Sequence, residues 1–342
     1  MAPGVRDARA WVIPLLFAVA CSSRGGPRDV GNQHPHSSFE DGPGGVARVD
    51  AGTPALAQPH VTGRKPHVLV KATTRAIATR GTLVYYGDAA EDGLYAIPKI
   101  GGEPVRIGHR APVANGIASD RDVIVWIGSP GDTVLRMPVA GGTPMVVRDH
   151  GIFSNLGGGS DLWLTEAHGS GGTLVAVGGA ATTGASFDSA PRGLTVDDDR
   201  VIVATQTKLL AIAKRHGEPE TLASGDAFAS PISAPDAVYV TVASERGRAL
   251  VRVPRAGGAQ EVIATAVRDA PIALHRDTLY WFDAEHPTLL ARSIGAGVDP
   301  TARVVSEDES YERAVAIAID DDGIFVATGT SDDGLVQIVP LR

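Results

Sequence analysis

Cysteine is almost missing from this chain: one occurs in 342 residues, at position 21. No internal disulfide can form, and no multi-cysteine metal site can be built. Aromatic side chains are also scarce, at 5%, so any core must rest mainly on aliphatic residues. An excess of basic charge is absent: 31 Lys and Arg against 39 Asp and Glu leave a net charge of −8. That argues against a nucleic-acid-binding protein, which needs a basic face. The longest apolar run, residues 10–20 (AWVIPLLFAVA), falls short of the ~20 residues that cross a bilayer. No segment holds the apolar period of a long helix, so a helical bundle is a poor fit. What the chain has in plenty is 41 Gly and 23 Pro, about 19% together against the usual ~12%. The apolar fraction of 43% is ordinary, so most of the chain is expected to fold, with many turns.

The apolar run has a recognisable setting. Arg6 and Arg9 precede it, and it ends Phe17-Ala18-Val19-Ala20-Cys21-Ser22. A basic start, a short apolar core and small residues before a cleavage point are the layout of a signal peptide. Small residues leading into a Cys resemble the signal box of bacterial lipoproteins, with Ala18 where that box usually has Leu. The resemblance implies cleavage before Cys21 and acylation of that residue, which makes the lipid bilayer a partner of the chain. Several acyl chains hold firmly because each buried methylene contributes about 0.8 kcal/mol. The alternative is a plain secretory signal with Cys21 incidental. Ser22, rather than Asp, follows the Cys. By analogy with the sorting rule of enteric bacteria, this implies the outer membrane. The stretch from 22 to 66 holds 8 Gly and 6 Pro and no sustained apolar period, too little to offset chain entropy. A flexible segment of that length spans roughly 35–40 Å. His34, His36 and His60 fall in it, and tethers often carry His. The expected organisation is a signal peptide (1–20), lipidated Cys21 with a tether (to 62) and a folded body (63–342).

The folded body is repetitive. A short strand-like motif begins at Leu83, Val123, Leu162, Val201, Val238, Leu279 and Ile324, at spacings of 40, 39, 39, 37, 41 and 45 residues. Asp199, Asp236, Asp277 and Asp322 stand two residues ahead of their motifs, as turn residues do. An apolar anchor precedes each turn: Ile77, Ile117, Leu156, Leu194, then Ile232, Ile272 and Ile317. A third apolar piece follows the motif and runs into a Gly turn, as in Gly101-Gly102-Glu103-Pro104 and Gly141-Gly142-Thr143-Pro144. Glycine there fits a hairpin that needs positive φ. A fourth strand follows at 105–107, 145–147 and 261–263. Four antiparallel strands in about 40 residues, repeated, describe an all-β propeller. Seven blades is the expected count, or six if the weak third copy (162–190, with its Gly178-Gly179 turn) is an insertion. The last repeat stops after its third strand at 335–340. Residues 63–70 (GRKPHVLV) resemble the missing fourth strand. Residues 67–72 are therefore expected to pair with 335–340 and close the ring, which removes open sheet edges.

Tyr280-Trp281-Phe282-Asp283 and Tyr85-Tyr86-Gly87-Asp88 resemble the repeat core of YWTD propellers, and the LxxxP-xxGGxP element resembles NHL and Tol-type bacterial propellers. These motifs report blade packing and leave function open. A ligand would be expected at the mouth of the central channel. The loops entering the first strands place Arg75, Asn115, Ser154, Arg192, Ser230, Ala270 and Val315 there, with Asn155 and Arg313 nearby. Arg75, Asn115, Asn155, Arg192 and Arg313 are the candidate ligand-binding residues, the arginines suiting an anion. With no carboxylate in that ring, the divalent-cation site of gluconolactonase-type propellers is not expected. No metal or other cofactor and no catalytic residue is expected. The runs 197–199 and 320–322 read as turn caps, and 307–312 as an acidic, solvated loop. Two classes stay open: a monomeric, non-catalytic module that binds an envelope protein or glycan, and a lactonase- or lyase-type enzyme with its site at the channel mouth.

Overall fold

A computed structural model describes residues 63–342, apart from 121, 159–160, 178–183, 216, 296, 298–299, 330–332 and 342. The segments expected to be a signal peptide and a tether, with Cys21 and the three histidines, and the expected Gly178-Gly179 turn lie outside the described residues.

The described residues form seven four-stranded antiparallel sheets. In blades 1 to 6 (77–109, 112–149, 153–187, 191–224, 229–267 and 273–307), four consecutive strands run outward from the axis. Blade 7 takes its three inner strands from 314–340 and its outermost strand, His67–Lys71, from the other end of the body. The register sets His67 opposite Ile338, Val70 opposite Val336 and Lys71 opposite Leu335. The closure expected from the two chain ends is therefore observed, and the count is seven. The weak third copy is a full blade whose outermost strand shrinks to Ser186–Phe187.

Each blade is a single four-stranded sheet with no second layer of its own, so its apolar residues must be buried against neighbouring blades. The core accordingly divides into seven clusters, one at each blade junction. Period-two alternation explains the paired aromatics of the second strands. Tyr85 faces blade 2 and packs with Trp126, while Tyr86 faces blade 7 and stacks on Tyr95 at 5.6 Å. Trp281 and Tyr280 likewise serve opposite junctions. The aromatic motifs are thus packing residues.

The Gly-Gly turns between third and fourth strands need both glycines. Gly101 and Gly102 have φ of 86° and 131°, and Gly257 and Gly258 have 77° and 120°, a region L-residues rarely enter. The acidic triplets cap turns as expected. Asp197 accepts the backbone N–H of Arg200 at 2.8 Å, and Asp320 that of Asp322 at 3.0 Å. The acidic loop near 307–312 differs from expectation. Glu307, Glu309 and Glu312 are exposed, but a 3-10 turn, Glu309–Arg313, capped by Asp308, buries Tyr311 fully. Its ring lies 5.5 Å from Phe282, its hydroxyl donates to Ser306, and burial pushes its pKa up to about 12.

The meander puts the loops that enter first strands on the same face as the hairpins between second and third strands. On the opposite face, a cation just after the third strand reaches back to the preceding blade. Lys99 contacts Asp320 at 2.5 Å and Asp322 at 2.9 Å. Lys214 contacts Asp161 at 3.2 Å, and Arg255 contacts Asp197 at 2.9 Å. In blades 2, 6 and 7 the same position holds Val139, Ile294 and Leu341, which pack on their junction cores. Burial opposes the charge on Lys99, but its hydrogen bonds to the two carboxylates outweigh this and raise its pKa.

Candidate functional site

The seven first strands converge on the axis, where they enclose a recess of about 190 Å³. Every one of the seven apolar anchors lines it. Blades 1, 2, 5, 6 and 7 contribute Ile77, Ile117, Ile232, Ile272 and Ile317, and blades 3 and 4 contribute Leu156 and Leu194. Each anchor also packs into a blade-junction core, and the surface left facing the recess is more polar than apolar.

The polar side chains of the rim fall mainly on one side. Arg75, Asn115 and Asn155, from blades 1 to 3, form a polar arc. Blades 4 to 7 complete the ring with Gly193, Pro231, Pro271 and Ala316, and with Ser230 as the polar residue of that arc. Asn115 and Ser230 both have left-handed backbones, at φ 56° and 51°. Asn115 precedes Gly116, the pairing that favours such a turn. Gly193 is required by close approach: a Cβ there would sit 2.7 Å from Pro231 Cδ.

The structure separates the candidate residues. Arg75 is exposed and lines the recess, and no hydrogen bond or ion pair to it is found among the described residues. Asn155 is 4% exposed. Its amide nitrogen donates to Thr165 Oγ1 at 3.0 Å and Ser154 Oγ at 3.1 Å, so it fixes the first strand of blade 3 to its neighbour. Arg192 and Arg313 do not line the recess. Arg192 donates to Gln206 at 2.6 Å, and Gln206 in turn donates to Asp226. Arg313 pairs with Asp333.

Two arginines outside the sequence-derived set hold the mouth loops in place. Arg248 is 5% exposed. It donates to the Ala227 carbonyl and to Thr241 Oγ1 at 2.9 Å, and it lies 3.3 Å from Asp269. It thereby joins the loops that deliver Ser230 and Pro271. Desolvation lowers its pKa, with Asp269 opposing. Arg268 donates to the Glu312 carbonyl at 2.9 Å and to that of Asp283 at 3.0 Å, which ties the blade 6 loop to blade 7. Their only sequence signal is a place in or beside a loop on the mouth face. Among the described residues, no three His, Cys, Asp or Glu lie close enough together to hold a metal ion. Among the described residues, no Asp or Glu lines the recess.

No family model matches the chain, and no curated protein matches it in sequence. Solved structures do resemble it. The oligogalacturonate lyase of Vibrio parahaemolyticus is 10% identical, covering 82% of this chain and 90% of its own, with a TM-score of 0.59. The Pan2 WD40 domain of Neurospora crassa is 11% identical, covering 82% and 98%, with a TM-score of 0.60. The extracellular domain of a putative hybrid two-component system from B. thetaiotaomicron is 12% identical, covering 80% and 39%, with a TM-score of 0.56. An enzyme and a WD40 domain are thus both among the structural neighbours. At such identities the likeness shows the β-propeller fold alone.

Proposed function

We propose that this chain is a lipid-anchored, extracytoplasmic β-propeller that acts as a non-catalytic binding module of the bacterial cell envelope, with the channel mouth as its binding face. The observation that carries this reading is the recess: Arg75 and Asn115 on its rim, with Arg75 exposed and without a partner among the described residues, on a face whose loops are held by buried or bonded arginines. Lipid anchoring rests on Arg6, Arg9, the 10–20 run and Cys21 in the sequence. A lyase- or lactonase-type activity at the same mouth is the other class; among the described residues the recess lining offers it no carboxylate or histidine as a general base.

The test uses the full-length tagged chain expressed in a Gram-negative host. The protein should partition to membranes and take up an alkyne fatty-acid label, and Cys21→Ser should abolish both. An envelope component should co-purify with the parent and with Ile100→Glu, a change at a 97% exposed site on the opposite face, but not with Arg75→Glu. Equal recovery with Arg75→Glu refutes the mouth as the binding face.

A further inference from the structure

We infer that the outer rim of blades 7, 1 and 2, at the end away from the mouth, is a lipid-contact surface for an anionic membrane. This rests on the reading of the chain as a membrane-held envelope protein, and it names the side of the body that meets the bilayer.

The apolar part follows from exposure and register. Among the described residues seven large apolar side chains are exposed, and five of them, Val68, Ile100, Val105, Met145 and Val146, fall on these three neighbouring blades. Fourth strands begin on the face opposite the mouth. Val68, Val105, Met145 and Val146 are first or second in His67–Lys71, Val105–His109 and Met145–Asp149, so they stand at that end. Ile100 sits in the hairpin that leads into the blade 1 strand. Val105 pairs with Ala96 and Val146 with Leu135, and both partners belong to the core between blades 1 and 2. Paired residues share a sheet face, so the two valines carry that core out to the surface. Single exposed apolar residues are ordinary, whereas a cluster on adjacent elements marks a contact surface.

Charge names the occupant. The chain as a whole is acidic, but this rim is not. The fourth strands of blades 7, 1 and 2 carry Lys71, Arg106 and Arg148 against one acid, Asp149. Those of blades 4, 5 and 6 carry Glu220, Glu261 and Glu307 against one base, Arg303. Arg136 is exposed beside its register partner Met145, and exposed Lys65 lies two residues ahead of the blade 7 strand. Apolar side chains interleaved with cations suit the headgroup–acyl boundary of an anionic bilayer, where each cation adds roughly fivefold to affinity.

The path of the chain agrees. Arg64 bonds to Val305 and Ser306 of blade 6, and the chain then runs directly into Val68. A lipid on Cys21, 42 residues before Gly63, would therefore be joined to the body at this same rim. Tethering raises the effective concentration, so a weak surface contact suffices. A body resting here leaves the mouth, on the opposite face, open to its ligand.

The test uses the full-length chain with its one thiol removed (Cys21→Ser) and a single new cysteine, at Ile100, Met145 or the exposed mouth-face Glu285, bearing an environment-sensitive dye. The probes are vesicles of phosphatidylglycerol and phosphatidylcholine in equal parts, or of phosphatidylcholine alone, with spin-labelled lipid as quencher. The dye reports its own position whatever the N-terminal segment does. Dyes at 100 and 145 should be quenched by the anionic vesicles and much less by the neutral ones or in about 0.5 M salt, while the dye at 285 stays unquenched. Arg136→Gln with Arg148→Gln should keep the parent melting temperature and weaken the contact at least tenfold. Absence of quenching at 100 and 145 in folded protein, equal quenching at 285, or unchanged affinity in the double variant overturns the inference. So does a dimer in sedimentation that Val146→Glu dissolves, which would make the patch an interface between copies of the chain. Rim contact with vesicles while parental Cys21 takes no fatty-acid label refutes acylation alone. A labelled Cys21 without rim contact refutes this inference alone.

Discussion

Removing residues 63–72 should cost about as much as the stability of a whole domain, although it removes a single edge strand. The strand His67–Lys71 pairs with Leu335–Pro340 across four register positions. The segment makes further bonds at both ends. The Arg64 N–H donates to Val305, Ser306 Oγ donates to the Arg64 carbonyl at 2.7 Å, and the Ala72 N–H donates to Gly334 at 3.0 Å. Arg64 also reaches the Pro340 carbonyl. Some seven or eight net hydrogen bonds at ~0.5–1.5 kcal/mol each, with Leu69, Val70 and Ala72 lost from the blade 7–blade 1 core, put the loss on the order of 6–10 kcal/mol. Ordinary domains hold only ~5–15 kcal/mol in total. The deletion also opens the outer edge of blade 7, so loss should spread through the ring instead of staying local. Urea unfolding followed by tryptophan fluorescence, with Trp126, Trp163 and Trp281 in three different junction clusters, reads this directly. The deletion should shift all signals together to a much lower midpoint or leave the body unfolded. A midpoint within 0.3 M of the parent, an arbitrary limit set by ordinary fitting error, would refute closure by this strand.

Three further outcomes follow from the same geometry. Lys99→Met should lower stability by about 1–2 kcal/mol in chemical denaturation, because Asp320 and Asp322 lose a shielded partner, and exposure of the two carboxylates limits the cost; no change would show the latch to be idle. Asp197 is held below its usual 3.8: burial opposes this, but the Arg200 N–H, the Ser233 hydroxyl and Arg255 outweigh it. Its contribution is therefore present above the ordinary carboxylate range and lost as pH falls through the lowered folded value. The parent should lose more stability than Asp197→Asn between pH 6 and pH 3, and parallel curves would contradict the assignment. Gly193→Ala should destabilise by about 1–3 kcal/mol through the clash with Pro231, seen as a lower melting temperature; an unchanged melt would mean that Pro231 yields freely.

Local features were legible in the sequence because they repeat at short range. The second-strand motifs, the Gly-Gly turns, the Asp caps and the strand at 67–72 each announce themselves within a few residues. The candidate site was only partly legible. Register placed the seven anchors correctly at one level of the fold, and all seven line the recess. Register alone does not decide where a long side chain goes. Arg192 and Arg75 precede equivalent anchors, yet Gln206 draws Arg192 away while Arg75 has no comparable acceptor among the described residues. The blade-to-blade cations were invisible for a different reason. Lys99 and Asp320 are 221 residues apart and meet only because the ring closes. Tyr311 was hidden inside an acidic stretch whose charged neighbours do face water.

The account stands or falls on the mouth as the binding face. The most direct measurement is photo-cross-linking in living cells, with a photoreactive residue in place of Asn115 at the mouth or of Ile100 on the opposite face of the full-length chain. The account predicts a discrete adduct from position 115 that disappears with Arg75→Glu, and none from position 100. Adducts of equal yield from both positions, or an adduct at 115 that survives Arg75→Glu, would contradict it.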